Sequence, residues 1–189
     1  YDGGHKFHPR VAEQLAAHAR LLPFCAELMA GLGVPRPPVR LIASTQGQRA
    51  VGVENPDLDV TAALRQSAEG YCNRLDELSL TGFILKSRSP SCGRGSTPIH
   101  DADGATVLGY GDGLFAEQLR STAPWLPCIE EEWLISDQRC WRFLTACVLV
   151  AARYGRPIHT ELVKQLTERT RLGHEEWCDI LLEEAELPE

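Results

Sequence analysis

A chain of 189 residues with 43% hydrophobic and 24% charged residues has the make-up of a soluble α/β-sized domain and can bury a substantial core. The formal net charge is −7, yet residues 172–189 hold seven acids and no Lys or Arg, which leaves nineteen acids against nineteen bases in residues 1–171. A balanced body without a basic stripe argues against a long nucleic-acid partner, and no apolar run approaches the length of a membrane span.

Nothing at the start resembles a signal peptide, and the opening at Tyr1 rather than Met predicts that sequence precedes it. Seven cysteines in such a chain favour a reducing, cytoplasmic setting, where thiols serve in cores, catalysis or metal ligation. Their positions, 25, 72, 92, 128, 140, 147 and 178, include no C-x-x-C pair, so a self-contained zinc ribbon is not expected. A metal site would have to be assembled from separate loops.

In chain order, Tyr1-Asp2-Gly3-Gly4-His5-Lys6 reads as a loop and Val11 to Arg20 as a helix, with Pro9 near its first turn. Leu21 to Cys25 reads as a short apolar strand, weakened by Pro23, and Ala26 to Gly31 as a turn of helix. Cys25 and Glu27 therefore stand at a strand end beside a helix start; the plain alternative for Cys25 is packing. Val34 to Ile42 begins stiff with three prolines and becomes a strand, where Arg36 and Arg40 are placed to brace an anion, a carbonyl or a carboxylate such as Glu27, or simply to be solvated. Thr45 to Glu54 predicts a turn or hairpin, and Asp57 or Asp59 caps a helix running to about Leu78 with Cys72 on its apolar side.

Leu80 to Leu85 is an apolar run that stops at Lys86-Ser87-Arg88-Ser89-Pro90-Ser91-Cys92-Gly93-Arg94-Gly95. This reads as a buried strand delivering a cysteine loop, and in mostly parallel α/β sheets ligands bind beyond the carboxyl ends of strands. The loop is read as a metal or nucleophile loop, against the alternative of a turn with a packed cysteine. Thr97 to Tyr110 predicts a hairpin or lid, Asp112 leads into a helix from Leu114 to about Thr122, and Leu126 to Ile129 is a last strand. Glu130-Glu131-Glu132 reads as a solvated acidic turn. From residue 136 the pattern is helical: Asp137 to Tyr154, Thr160 to about Thr170, and Glu175 to about Leu187, with Cys140 and Cys147 as core and His159 and His174 as surface or capping residues. The division expected is residues 1–135 as an α/β domain and 136–189 as a helical extension.

Three separated segments together resemble the 2-thiouracil desulfidase (TudS) family: Tyr1-Asp2-Gly3-Gly4-His5-Lys6; Cys25-Ala26-Glu27 with Gly31 to Pro38; and Gly82 to Gly93. The resemblance covers roughly residues 1–135, and the order and spacing of the segments make it specific. Ala26 stands where the family pattern has proline, which is expected to loosen that turn.

The resemblance implies a three-layer α/β domain with a mostly parallel, Rossmann-like sheet and a bacterial origin. It also implies a 4Fe-4S cluster held by three cysteines, with the fourth iron open to a thiocarbonyl sulfur. Cys25 and Cys92 match two ligands; the third is expected upstream of Tyr1. A thiocarbonyl sulfur and an open iron are soft partners, and water attack on the carbon then needs proton transfer. Glu27 is assigned that role, Ser89 ahead of Ser91 the role of relaying hydroxyl, and Lys86, Arg36, Gly3 and Gly4 are assigned to substrate binding. The expected partners are a small thiolated nucleobase or nucleotide and a second copy of the chain in a homodimer, with no membrane. Two rival readings are a non-catalytic metal- or cluster-binding module and a cysteine-nucleophile enzyme using Cys92 activated by Lys86 or Arg88.

Overall fold

The computed structural model describes residues 7–158 and 160–170. The expected loop with Gly3 and Gly4, His159, His174, the acidic tail and the helix from Glu175 lie outside the described residues.

The α/β class holds, with helices on both sides of a sheet and helices at the C-terminal end. Four strands, β1 (Val39–Ser44), β2 (Gly47–Gly52), β4 (Thr97–His100) and β5 (Val107–Gly111), lie in the order β2-β1-β4-β5. A separate pair joins β3 (Phe83–Leu85) and β6 (Cys128–Glu130). The pairing is mixed rather than mostly parallel: β1 with β4 and β3 with β6 run parallel, whereas β1–β2 and β4–β5 are antiparallel hairpins. The cause is local, because the short turns after Ser44 and His100 can only fold a strand back on its neighbour.

Helices α2 (Thr61–Cys72), α4 (Leu114–Thr122), α5 (Asp137–Arg153) and α6 (Thr160–Thr170) fall where apolar periodicity predicts them. The first of these differs from expectation at both ends. Asp59, expected with Asp57 as its cap, precedes the cap position, which Val60 holds, and Asp59 Oδ1 accepts from the Thr61 N–H at 2.9 Å. The helix expected to reach Leu78 breaks after Cys72, however, and resumes as α3 (Leu75–Leu78), which Ser79 ends in a left-handed conformation. Asp112 leads into α4 as expected, with Gly113 at the cap position, and Asp112 accepts from the Gly95 N–H.

Two expected elements are corrected. Val11 to Arg20 forms only a π-helical segment, Arg10–Leu15, of which Leu15 alone is buried. Leu21 to Cys25 is no strand: Pro23 lacks an N–H for a ladder, and Leu21 and Leu22 face solvent. Its end is nevertheless anchored, since the Phe24 ring packs against Tyr71, Phe83 and Phe115 at centroid distances of 4.4, 5.6 and 4.5 Å. That aromatic cluster lies in a core shared by α2, α4 and β3, and it holds the chain just before Cys25.

A second core unites α5 with the strand pair: Phe143, Leu144 and Cys140 pack with Leu15, Leu134, Ile84 and Ile129. A Cβ built at Gly82 would lie 2.4 Å from Cys147 Sγ, so α5 sits directly against the entry to β3. Among the described residues no helix is long and apolar enough to cross a membrane.

Candidate functional site: a thiol and carboxylate centre

Two chain segments far apart in sequence meet at the candidate site. The first is α1 (Ala26–Met29), whose preceding residue, Cys25, is extended. After α1 the chain turns back through Gly31 and Gly33, both at positive φ (82° and 72°), a conformation that suits glycine. This return brings Arg36 onto α1. Its Nε donates to Glu27 Oε2 at 2.6 Å, Nη1 to the Gly33 carbonyl at 2.8 Å, and Nη2 to Cys25 Sγ at 3.6 Å. The Arg36 and Glu27 side chains are 8% and 13% exposed, so the pair is nearly dry and each charge depends on the other. Burial opposes the Arg36 charge, but the hydrogen bond and charge of Glu27, followed by Cys25, raise its pKa.

The second segment is the loop that leaves β3. Ser91, 1% exposed, donates its hydroxyl to the other Glu27 oxygen, Oε1, at 3.0 Å. Ser89 Oγ accepts from the N–H groups of Ser91 and Cys92 at 3.2 and 3.1 Å, which closes a tight serine turn around the cysteine. The Cys92 thiol is pushed up to about 12, by burial first and then by the charges of Glu27 and Cys25, while the Ala26 N–H and the Ser89 hydroxyl act against this. Glu27, bonded to Ser91 on one oxygen and to the Arg36 that reaches Cys25 on the other, ties the two cysteine segments together. The two thiols therefore share one neighbourhood.

Helix α4 fixes the loop from the other side. The N–H groups of Gly113, Leu114 and Phe115 donate to the carbonyls of Gly93, Pro90 and Ser91 at 2.7, 3.1 and 2.8 Å. The donors that a helix start leaves unpaired are thus satisfied by the cysteine loop itself. The contact is so close that a Cβ at Gly113 would lie 2.4 Å from the Ser91 carbonyl carbon.

Cys25, Glu27, Arg36, Ser89, Ser91 and Cys92 are all brought together. Within this group the hydroxyl on Glu27 belongs to Ser91, while Ser89 serves the Cys92 backbone and thiol. Lys86 pairs with Glu131. The acidic run is the main correction: Glu130 is only 3% exposed and accepts from the Arg94 N–H and the Ser96 hydroxyl, and Glu131 accepts from the Ser87 N–H at 2.7 Å. Thr97, also buried, donates its hydroxyl to the Ser89 carbonyl at 2.8 Å and likewise escaped the sequence reading. The available signal was topological, namely that β6 delivers 130–132 beside the end of β3.

Among the described residues no group of three or more His, Cys, Asp and Glu side chains is disposed to hold a metal ion by itself. Thiols such as those of Cys25 and Cys92 are nevertheless the donor type of a thiolate-held iron-sulfur cluster.

The geometry alone gives an α/β fold with thiols and a largely buried carboxylate beside the loop that leaves β3. Comparison with known proteins narrows this. Residues 1–131 match the family model described as 2-thiouracil desulfurase, and the chain belongs to that family. It is similar to the uncharacterised protein YbbK of Bacillus subtilis (strain 168), with 28% identity over 115 residues, 59% of this chain and 76% of YbbK. It is also similar to the solved structure of TudS, a 4Fe-4S-dependent thiouracil desulfidase. That match has 30% identity and a TM-score of 0.56, and covers 71% of this chain and 83% of TudS.

Proposed function

We propose that this protein is a desulfidase that replaces the C=S of a thiolated pyrimidine such as 2-thiouracil with C=O, releasing sulfide. The observation that carries the reading is the meeting of Cys25 and Cys92 beside a Glu27 carboxylate held by Arg36 and Ser91. Family membership and the likeness to TudS support it.

Cys25 and Cys92 would hold part of a 4Fe-4S cluster, which when bound supplies a soft Lewis-acid iron for the thiocarbonyl sulfur. Glu27 takes a proton from the water that adds to the thiocarbonyl carbon and returns it to the departing sulfide, so that water and thiouracil become uracil and hydrogen sulfide. Ser91 orients the carboxylate from one side and Arg36 from the other. Ser89 holds the Cys92 turn. The contacts of Arg36 with Glu27, Cys25 and Gly33 support a positioning role for it instead of direct substrate contact. Lys86 and the Gly3-Gly4 segment are proposed to meet the substrate. Residues 1–135 carry the activity, and the helices from 136 extend that body. The cysteine-nucleophile reading has less support, because the cations it needs are paired elsewhere, Lys86 with Glu131 and Arg88 with Glu132.

Anaerobic reconstitution with iron and sulfide, read by absorption and by sulfide released from 2-thiouracil, tests the proposal. Cys92→Ala is expected to lose both signals, and Glu27→Gln to keep the cluster absorption while losing turnover. Wild-type protein that binds no iron and leaves thiouracil intact would end the reading.

A further inference from the structure

Three consecutive glutamates, the last residue of β6 and the two that follow it, each grip the cysteine loop or its root. Glu130 accepts from the Arg94 N–H and from the Ser96 hydroxyl, and Ser96 Oγ in turn accepts from the Arg88 N–H at 2.7 Å. Glu131 accepts from the N–H and hydroxyl of Ser87 at 2.7 and 3.1 Å and pairs with Lys86. Glu132 pairs with Arg88, whose φ of 58° is unusual for a residue with a side chain. The parallel register of β3 with β6, Leu85 opposite Glu130, is what delivers the carboxylates there.

The loop is therefore held on two sides by different chemistry. Its carbonyls are taken by the backbone N–H groups of α4, which no side-chain change removes. Its N–H groups at Ser87, Arg88 and Arg94 are taken by Glu131, Ser96 and Glu130, which are side chains and can be deleted. Hydrogen bonds to a charged acceptor are among the stronger ones, and a buried N–H deprived of its acceptor is costly.

We propose that Glu130, with Ser96 as its link to Arg88, is a positioning residue that sets where the Cys92 loop presents its thiol, and that Glu131 and Glu132 fasten the root of the same loop. This rests on the reading of Cys92 as a thiol of the site and adds residues outside the thiol and carboxylate group to its machinery. Glu130 touches neither substrate nor cluster in this scheme. It acts through the backbone of Arg94, two residues beyond Cys92.

The test uses the full chain without iron, so that it does not depend on turnover. Hydrogen–deuterium exchange is followed in peptides covering 86–96, and iodoacetamide labelling at Cys92 is followed by mass spectrometry, with the fully buried Cys140 as reference. Glu130→Ala is expected to raise both exchange in 86–96 and labelling of Cys92 by about tenfold or more while Cys140 stays protected. Glu130→Gln, whose amide oxygen still accepts from Arg94, is expected to restore most of the protection. Should Glu130→Ala fail to fold, Ser96→Ala removes the same link with little loss of volume and is expected to act in the same direction. Cys92 labelling that is unchanged, or that rises in step with Cys140, overturns the proposal. Failure of the desulfidase reading is seen separately, as wild-type protein that loads iron but releases no sulfide.

Discussion

In the proposed reaction Glu27 is the central residue, and each of its oxygens has a different partner: Arg36 on one and Ser91 on the other. A carboxylate that is to accept a proton must be held in one orientation, and a paired guanidinium in a nearly closed site does so for Glu27. The Ser91 hydroxyl fixes the rotation of the carboxyl group. Ser91→Ala is accordingly expected to lower kcat for thiouracil by about tenfold or more, with a stability loss of only about 1 kcal/mol. Steady-state sulfide release beside a denaturant titration checks this, and a variant with unaltered kcat would remove Ser91 from the mechanism.

Among the elements, α4 and the cysteine loop act as one unit, since the helix start is capped by loop carbonyls and the loop is ordered by helix N–H groups. Glycine at 113 is required by proximity: an added Cβ would meet the backbone of Ser91 and Ser89 at 2.4 to 2.7 Å. Backbone atoms cannot swing aside as a flexible side chain does. Gly113→Ala is expected to destabilise the protein by about 1–3 kcal/mol and to displace the Cys92 turn. Thermal unfolding would register the first effect and thiol labelling of Cys92 the second; a neutral Gly113→Ala would show that helix and loop are not in contact.

Across the whole molecule, α5 shares a core with the strand pair that launches the cysteine loop, through Phe143, Leu144, Ile84 and Ile129. The helices from residue 136 therefore support the floor of the site. If they fold together with the sheet, Phe143→Leu should cost about 1–2 kcal/mol and leave a single unfolding transition. Coincident curves from far-UV circular dichroism and tryptophan fluorescence would establish this. Two separated transitions would mean that the extension unfolds by itself.

Apolar periodicity determined the helices α2, α4 and α5, because a helix of more than two turns repeats its pattern often enough to be read. The cysteine loop and its start after Leu85 were equally legible, since an apolar run ending in Ser, Pro and Gly has few other readings. Short elements were not: Leu21 to Cys25 has the composition of a strand, but among the described residues it pairs with no other strand. The acidic run shows the same limit at the site. Three adjacent glutamates look solvated until a parallel strand pair sets them against the loop's N–H groups, and that pairing joins residues more than forty positions apart. The residue types of the site were thus present in the sequence, whereas which hydroxyl meets Glu27 and which carboxylates hold the loop were decided only by tertiary packing, because a hydrogen bond depends on distance and direction that local sequence does not carry.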